Sequence, residues 1–102
     1  MSWINVNYNS DQTYIVQENA IQDTINNVLK IIKKIKLINK PQIKINENHT
    51  NLEVCLDIKL PKKDQDNPFE LLKQLTNQLE SAIKNLIDAK PNNIQLNILD
   101  FY

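Results

Sequence analysis

The stretch NLEVCLDIKL, from Asn51 to Leu60, contains the most reactive side chain of this sequence. Cys55 is the single cysteine, and it would serve as a nucleophile or a redox sensor if a nearby cation stabilised its thiolate. Its neighbours two positions away are instead Glu53 and Asp57, and two carboxylates disfavour the thiolate. We therefore interpret Cys55 as a structural residue on the polar side of a strand.

Candidate metal ligands are few. His49 is the one histidine and lies in a predicted turn, with no second histidine and no cysteine close to it, so a zinc ion would lack ligands. Asp64 and Asp66 precede the second predicted helix, but the glycine and the further ligand spacing of a calcium loop are missing. We therefore expect no catalytic residue, no cofactor and no metal site.

Four lysines near the end of the first predicted helix could form a basic patch for RNA or for anionic lipid: Lys30, Lys33, Lys34 and Lys36. The whole chain, however, carries twelve lysines against twelve acidic residues, with no arginine and no glycine. Binding to nucleic acid usually depends on a positive surplus and on arginine, and phosphate-binding loops depend on glycine. We therefore interpret these lysines as a solvated helix face. A small RNA- or ribosome-associated domain that binds through this helix is the alternative function.

The aromatic residues gather towards the two ends of the chain, and four of them are candidate interaction residues: Trp3, Tyr8, Phe101 and Tyr102. Exposed aromatic side chains are common anchors of protein contacts. The strand-like stretch WINVNY could extend a sheet of its own chain or pair with another chain. Both ends could instead fold back onto the domain. We expect the N-terminal segment and the final FY to contribute to self-association, most simply a symmetric homodimer.

Two helices are predicted from apolar residues that recur at three- and four-residue intervals. The first starts with a capping box formed by Asn19 and Gln22 and stops before Pro41. Its apolar positions are Ile21, Ile25, Val28, Leu29, Ile32, Ile35 and Ile38. The second starts at NPFE, with Asn67 as the cap, and stops before Pro91.

Strands are predicted at WINVNY and TYIV before the first helix, at QIKI and NLEVCLDIKL between the helices, and at NNIQLNIL after the second. Asparagines in the turn NENHTN replace the absent glycine where positive φ is needed. The element order is β-α-β-β-α-β with an extra strand in front. It predicts an α+β, two-layer sandwich of ferredoxin-like order, in which two helices cover one face of a mostly antiparallel sheet.

Three stretches of the chain also carry a likeness to a known family: YIVQENAIQDTI, NLEVCLDIKL and NPFELLKQLTNQLESAIKNLIDAKPNNIQLNIL. The first stretch resembles the opening strand and first helix of the alkaline shock protein family. The second resembles the long alternating strand of that family, and the third resembles its second helix and closing strand. The resemblance runs from about Tyr14 to Asp100. The chain departs from the family in NNVLKIIKKIKLINK, which lacks the usual small residues and the Gly-Val step after them.

The length of the chain predicts a single domain, and the resemblance implies that it is an alkaline-shock-like domain over residues 1–102. Residues 1–12 would be an N-terminal extension that could supply an extra strand. Members of this family are small bacterial proteins linked to cell-envelope stress, and some are held at the membrane by an anchored partner. The resemblance therefore implies a non-catalytic protein that acts through protein–protein contacts in envelope stress or in membrane-lipid homeostasis. Its partner would be a protein, which could be anchored in the membrane as it is for some members of the family.

The expected location follows from two further features. The opening MSWINVNYNSD has neither the positive region nor the apolar region of a signal peptide. No apolar run approaches the ~18–20 residues that span a bilayer. We expect a cytoplasmic protein, which could also lie peripherally at the membrane through a partner, with no direct membrane span and no nucleic-acid partner.

Overall fold

The computed structural model describes residues 2–9 and 12–102, apart from the side chains of residues 8 and 9. Within these ranges the chain forms six strands and two α-helices. Their order is β1 (Trp3–Asn9), β2 (Gln12–Gln17), α1 (Glu18–Ile31), β3 (Lys36–Leu37), β4 (Gln42–Ile45), β5 (Leu52–Leu60), α2 (Phe69–Ile87) and β6 (Asn93–Phe101). The predicted α+β class and the mostly antiparallel pairing are confirmed.

Strand β5 is the centre of the main sheet. β6 pairs parallel with β5 over nearly its whole length and so occupies one of its edges. β3 and β4 pair antiparallel with the two ends of β5 and therefore share its other edge, one after the other. The parallel pairing of β5 and β6 is possible because α2 carries the chain back across the sheet between them.

The core lies between the main sheet and the two helices. Every second residue of β5, from Leu52 to Leu60, is buried, because the helices pack on that face of the sheet. Each helix supplies four buried residues at helical spacing, with Ile21 to Leu29 from α1 and Leu75 to Ile87 from α2. The other face of β5 carries polar side chains that are half-buried or exposed.

Strands β1 and β2 form a separate two-stranded antiparallel sheet, called here the N-terminal hairpin. Ile4 and Val6 of β1 belong to the same buried core as the helices and β5. A two-stranded hairpin is at best marginally stable alone, so burial of these side chains fixes it to the domain. A ferredoxin-like layout is not confirmed, because among the described residues β1 and β2 pair with each other and not with β5.

The first helix is shorter than its apolar spacing predicts, and the prediction that it continues to Pro41 is wrong. It ends at Ile31, with Ile32 already outside helical geometry. Ile32 and Ile35 are still buried, but from a turn, and Lys36–Leu37 then pair with β5 as β3. β-Branched isoleucines favour extended structure. An extended segment can also form backbone hydrogen bonds with the edge of β5, whereas a further turn of helix cannot.

The predicted helix caps are also corrected. α1 begins at Glu18 with Gln17 before it, and no side chain of the described residues caps its first turn, so Asn19 and Gln22 form no capping box. α2 begins at Phe69, where the carbonyl of Pro68 accepts a hydrogen bond from Leu72 and no side-chain cap is made. Packing of the apolar stripes therefore fixes both helix starts without the capping residues.

Candidate functional site

The polar face of the main sheet carries a connected group of amides around Asp57. Asn97 of β6 donates from Nδ2 to Asp57 Oδ1 at 3.0 Å, and Asn39 donates from its own Nδ2 to Asp57 Oδ2 at 2.9 Å. Gln95 in turn donates to Asn97 Oδ1 at 3.0 Å. The hydrogen bonds from Asn97 and Asn39 stabilise the charged carboxylate and lower the pKa of Asp57, against a small opposing effect of burial.

Cys55 belongs to this group as an acceptor. Its Sγ lies 3.4 Å from Asn97 Nδ2, and the side chain is half-buried between strands β4 and β6. A shallow groove of about 320 Å³ runs beside it, lined by Gln42, Lys44, Glu53, Asn93 and Gln95. The polar side chains that line this groove are three amides, the carboxylate of Glu53 and the ammonium group of Lys44. The structural interpretation of Cys55 stays a prediction.

His49 connects the N-terminal hairpin to the turn between β4 and β5. Its ring stacks on Trp3 with centroids 4.1 Å apart and 5° between the planes, and its Nδ1 lies 3.0 Å from the Trp3 carbonyl oxygen. A carbonyl oxygen only accepts, so this bond places a hydrogen on Nδ1. The carbonyl of His49 also accepts a 2.6 Å hydrogen bond from the Asn5 amide.

The same residue corrects a prediction about the turn. His49, and not an asparagine, adopts positive φ there, at 57°. Asn46 instead holds the turn with its side chain, which accepts hydrogen bonds from the amides of Thr50 and Asn51 and donates to the Thr50 hydroxyl. Positive φ is uncommon outside glycine, but histidine adopts it more readily than most residues, and the three contacts with β1 help to hold His49 in it.

Strand β2 forms the outer side of the N-terminal hairpin. Among the described residues it pairs with β1 alone, so its other edge is open. Ile15 lies on this strand with 61% of its surface exposed, opposite Asn5 in the register, and Tyr14 is 52% exposed. An uncharged open edge with an exposed apolar side chain is a site at which a further strand can add.

Two of the four candidate interaction residues lie at the end of β6 and contact their own chain. Phe101 is half-buried and packs against the core. The Tyr102 hydroxyl donates to the Lys34 carbonyl oxygen at 2.6 Å, and the ammonium groups of Lys36 and Lys59 lie 5.7 and 5.9 Å from its ring centre. The two lysines are paired in the register of β3 and β5, and their shared contact with the Tyr102 ring reduces the repulsion between them.

Of the two N-terminal candidates, Trp3 is half-buried and stacked on His49. The side chain of Tyr8 lies outside the described part of the chain. A role of these four aromatic residues in self-association stays a prediction.

The lysines of the predicted basic patch do not share one helix. Lys30 lies in the last turn of α1, Lys33 and Lys34 lie in the turn that follows, and Lys36 lies in β3. All four side chains are exposed. Lys36 contacts the ring of Tyr102, so three lysines remain grouped around the end of α1.

Within residues 2–9 and 12–102 no three His, Cys, Asp or Glu side chains lie close enough together to hold a metal ion. Nor does either described helix have the length and apolar character needed to cross a bilayer.

No protein family model, curated protein sequence or solved structure matches this chain.

Sequence reasoning missed the residues that organise these surfaces. The group around Asp57 depends on the parallel register of β5 and β6, which brings Asn97 opposite it from 40 residues away. No local pattern specifies that register. The sequence did contain a signal for the exposed Ile15. An apolar isoleucine stands between Tyr14 and Val16, where an alternating strand would place a polar residue.

Proposed function

We propose that this protein is a non-catalytic interaction domain that binds a partner protein through the open edge of β2. The observation that carries the proposal is the combination of an unpaired strand edge with the exposed side chain of Ile15. An incoming strand would gain main-chain hydrogen bonds from β2 and would cover Ile15. The function is that of an adaptor, because binding at this edge requires no chemistry from the chain.

The N-terminal hairpin is suited to this role because it is anchored on one side and open on the other. Ile4 and Val6 hold β1 in the core, and His49 holds β1 to the turn before β5. β2 is thereby presented in a fixed position. A preorganised edge pays less ordering entropy on binding than a mobile segment.

Affinity capture from the cells of origin tests this proposal with three versions of the chain. Ile15→Lys places a charge on the exposed side of β2, and Ile31→Lys is the matched control, since Ile31 is 68% exposed at the end of α1. We expect a protein that wild type and Ile31→Lys capture and that Ile15→Lys loses. With the purified pair, the dissociation constant should rise roughly tenfold or more for Ile15→Lys. Equal capture by all three versions contradicts the proposal.

The resemblance to the alkaline shock protein family supports a more specific version of it. In that version the partner is anchored in the membrane, the chain lies on its cytoplasmic side, and the pair acts in cell-envelope stress or membrane-lipid homeostasis. Fractionation of cells tests this version. The wild-type chain should sediment with membranes and Ile15→Lys should not. If the wild-type chain is absent from the membrane fraction to the same extent as Ile15→Lys, this version of the proposal is contradicted.

Binding to RNA or to the ribosome is a second candidate, favoured by the three exposed lysines around the end of α1, Lys30, Lys33 and Lys34. Phosphate binding weakens steeply as salt concentration rises. This candidate would be supported over the first if the chain is retained on immobilised RNA, if retention falls as salt rises, and if a triple Lys→Ala variant is not retained. Absence of retention at low salt removes it.

A further inference from the structure

Strand β6 forms an open edge of the main sheet. It is nine residues long, and among the described residues it pairs with β5 alone. We propose that a second copy of this chain pairs antiparallel with this edge and forms a symmetric dimer in which the two main sheets become one. This inference is independent of the partner proposed for β2.

The two edges of the main sheet differ in how they are protected against pairing. The edge formed by β3, β4 and the segment between them carries Lys36, Lys40, Pro41 and Lys44. Charged residues, lysine above all, and proline are the usual means by which natural sheets prevent edge-to-edge association. β6 carries neither charge nor proline from Asn93 to Ile98. Its irregularity at Leu99 and its one charge, Asp100, come only after that stretch.

The sequence of β6 fits itself in the antiparallel direction. The five residues Ile94-Gln95-Leu96-Asn97-Ile98 read the same by side-chain type in both directions. If Leu96 faces Leu96 of the second copy, Ile94 faces Ile98 of that copy, and Gln95 faces its Asn97. Apolar side chains then meet on the face that the helices cover, and amides meet on the polar face. A two-fold axis through Leu96 generates all these pairs at once.

Burial within β6 indicates that the edge is incomplete in the single chain. Ile94, Leu96 and Ile98 share the core-facing side with Val54, Leu56 and Ile58 of β5 through the register. The three β5 residues are at most 1% exposed, whereas the three β6 residues are only partly buried. A neighbouring strand on the free side of β6 would cover the remainder, as β6 does for β5.

Sedimentation equilibrium of the purified chain tests the dimer. We expect a monomer–dimer equilibrium for wild type at micromolar concentrations. Gln95→Lys combined with Asn97→Lys places lysines directly opposite each other twice across the axis, which should raise the dimer dissociation constant roughly tenfold or more. Gln42→Lys is the matched control, because with Lys44 it places two lysines at the same spacing on the opposite edge, and it should leave the dimer unchanged.

Further variants keep the result decisive. Asn97 contacts Asp57, so if the double variant fails to fold by circular dichroism, Gln95→Lys alone is measured, since that side chain is exposed and bonds only to Asn97 among the described residues. This lysine faces Asn97 of the second copy, so it acts as an unpaired edge charge and should raise the dimer dissociation constant by a smaller factor. Ile15→Lys should dimerise as wild type does. A wild-type monomer up to high micromolar concentration overturns the proposal. So does a dimer that tolerates the β6 lysines or that is lost in Ile15→Lys.

Discussion

At the scale of single residues, His49 and Asp57 are held by contacts that come from distant parts of the chain. Trp3 supplies both the ring and the carbonyl oxygen that fix His49, from 46 positions away. Asn97 and Asn39 supply the amides that fix Asp57. The sequence predicts the turn around His49 and the polar side of β5, but not these partners, because neither contact has a local pattern.

Replacement of His49 should loosen the N-terminal hairpin. His49→Ala removes the stack on Trp3 and the bond to its carbonyl, and leaves an alanine at positive φ. We expect the free energy of unfolding to fall by about 1–3 kcal/mol. Trp3 is the only tryptophan, so its emission spectrum reports the loss of the stack directly.

A control separates the ring from the backbone. Asparagine tolerates positive φ better than alanine, so His49→Asn should lose the stack at a smaller cost in stability. The tryptophan emission should change in both variants to a similar extent. An emission spectrum that neither substitution alters would show that the stack does not form in solution.

Asp57 should make the stability of the fold depend on pH. Its pKa is lowered from the ordinary value of 3.8, chiefly by the amide of Asn97 and next by that of Asn39. A lowered pKa in the folded state contributes stability at pH values above the ordinary value. That contribution is lost as the pH falls through the lowered pKa. Wild type should therefore lose more stability than Asn39→Ala between neutral and strongly acid pH.

Chemical denaturation at a series of pH values measures this effect. The stability difference between wild type and Asn39→Ala should be largest near neutral pH and should shrink in acid. The same comparison in an Asp57→Asn background is the control, because no titrating carboxylate remains at that position. A difference that is independent of pH in the native background would show that the amides do not act through the Asp57 charge.

At the scale of elements, periodicity predicted most of what the structure contains. Alternation over β5 and the helical spacing of α2 each identified the buried face. In both elements the apolar residues form one continuous stripe, and that stripe is the side that packs against the rest of the domain. The same criterion failed after Ile31, where Ile32 and Ile35 are buried without being helical. There the edge of β5 competes with the helix for the backbone, and that competition is a tertiary effect.

Truncation of core residues tests the assignment of the two layers. Leu56 in mid-β5 and Leu79 in mid-α2 are fully buried, whereas Lys33 is exposed after α1. Leu56→Ala or Leu79→Ala should lower the free energy of unfolding by about 2–5 kcal/mol. Lys33→Ala should lower it by less than about 0.5 kcal/mol. Denaturant midpoints that place Lys33→Ala below either leucine variant would contradict the packing.

At the scale of the whole molecule, the described residues leave an open strand edge on each of the two sheets that is not protected by lysine or proline. The described part of the chain extends over 51 × 22 × 19 Å, and its N-terminal hairpin is a sheet separate from the main one. β2 provides one open edge on the hairpin and β6 provides the other on the main sheet. The sequence indicated interaction through strands, but the choice of edges depends on the pairing of β5 with β6, which only the assembled fold defines.

Hydrogen–deuterium exchange of the purified chain over a range of concentrations tests the central claim, that the two edges take different occupants. We predict that peptides covering β6 exchange more slowly as the concentration rises, because a second copy pairs with this strand. Peptides covering β2 should exchange at an unchanged rate, because their partner is another protein. Slower exchange in β2 at high concentration, or a β6 rate that does not depend on concentration, would contradict the account.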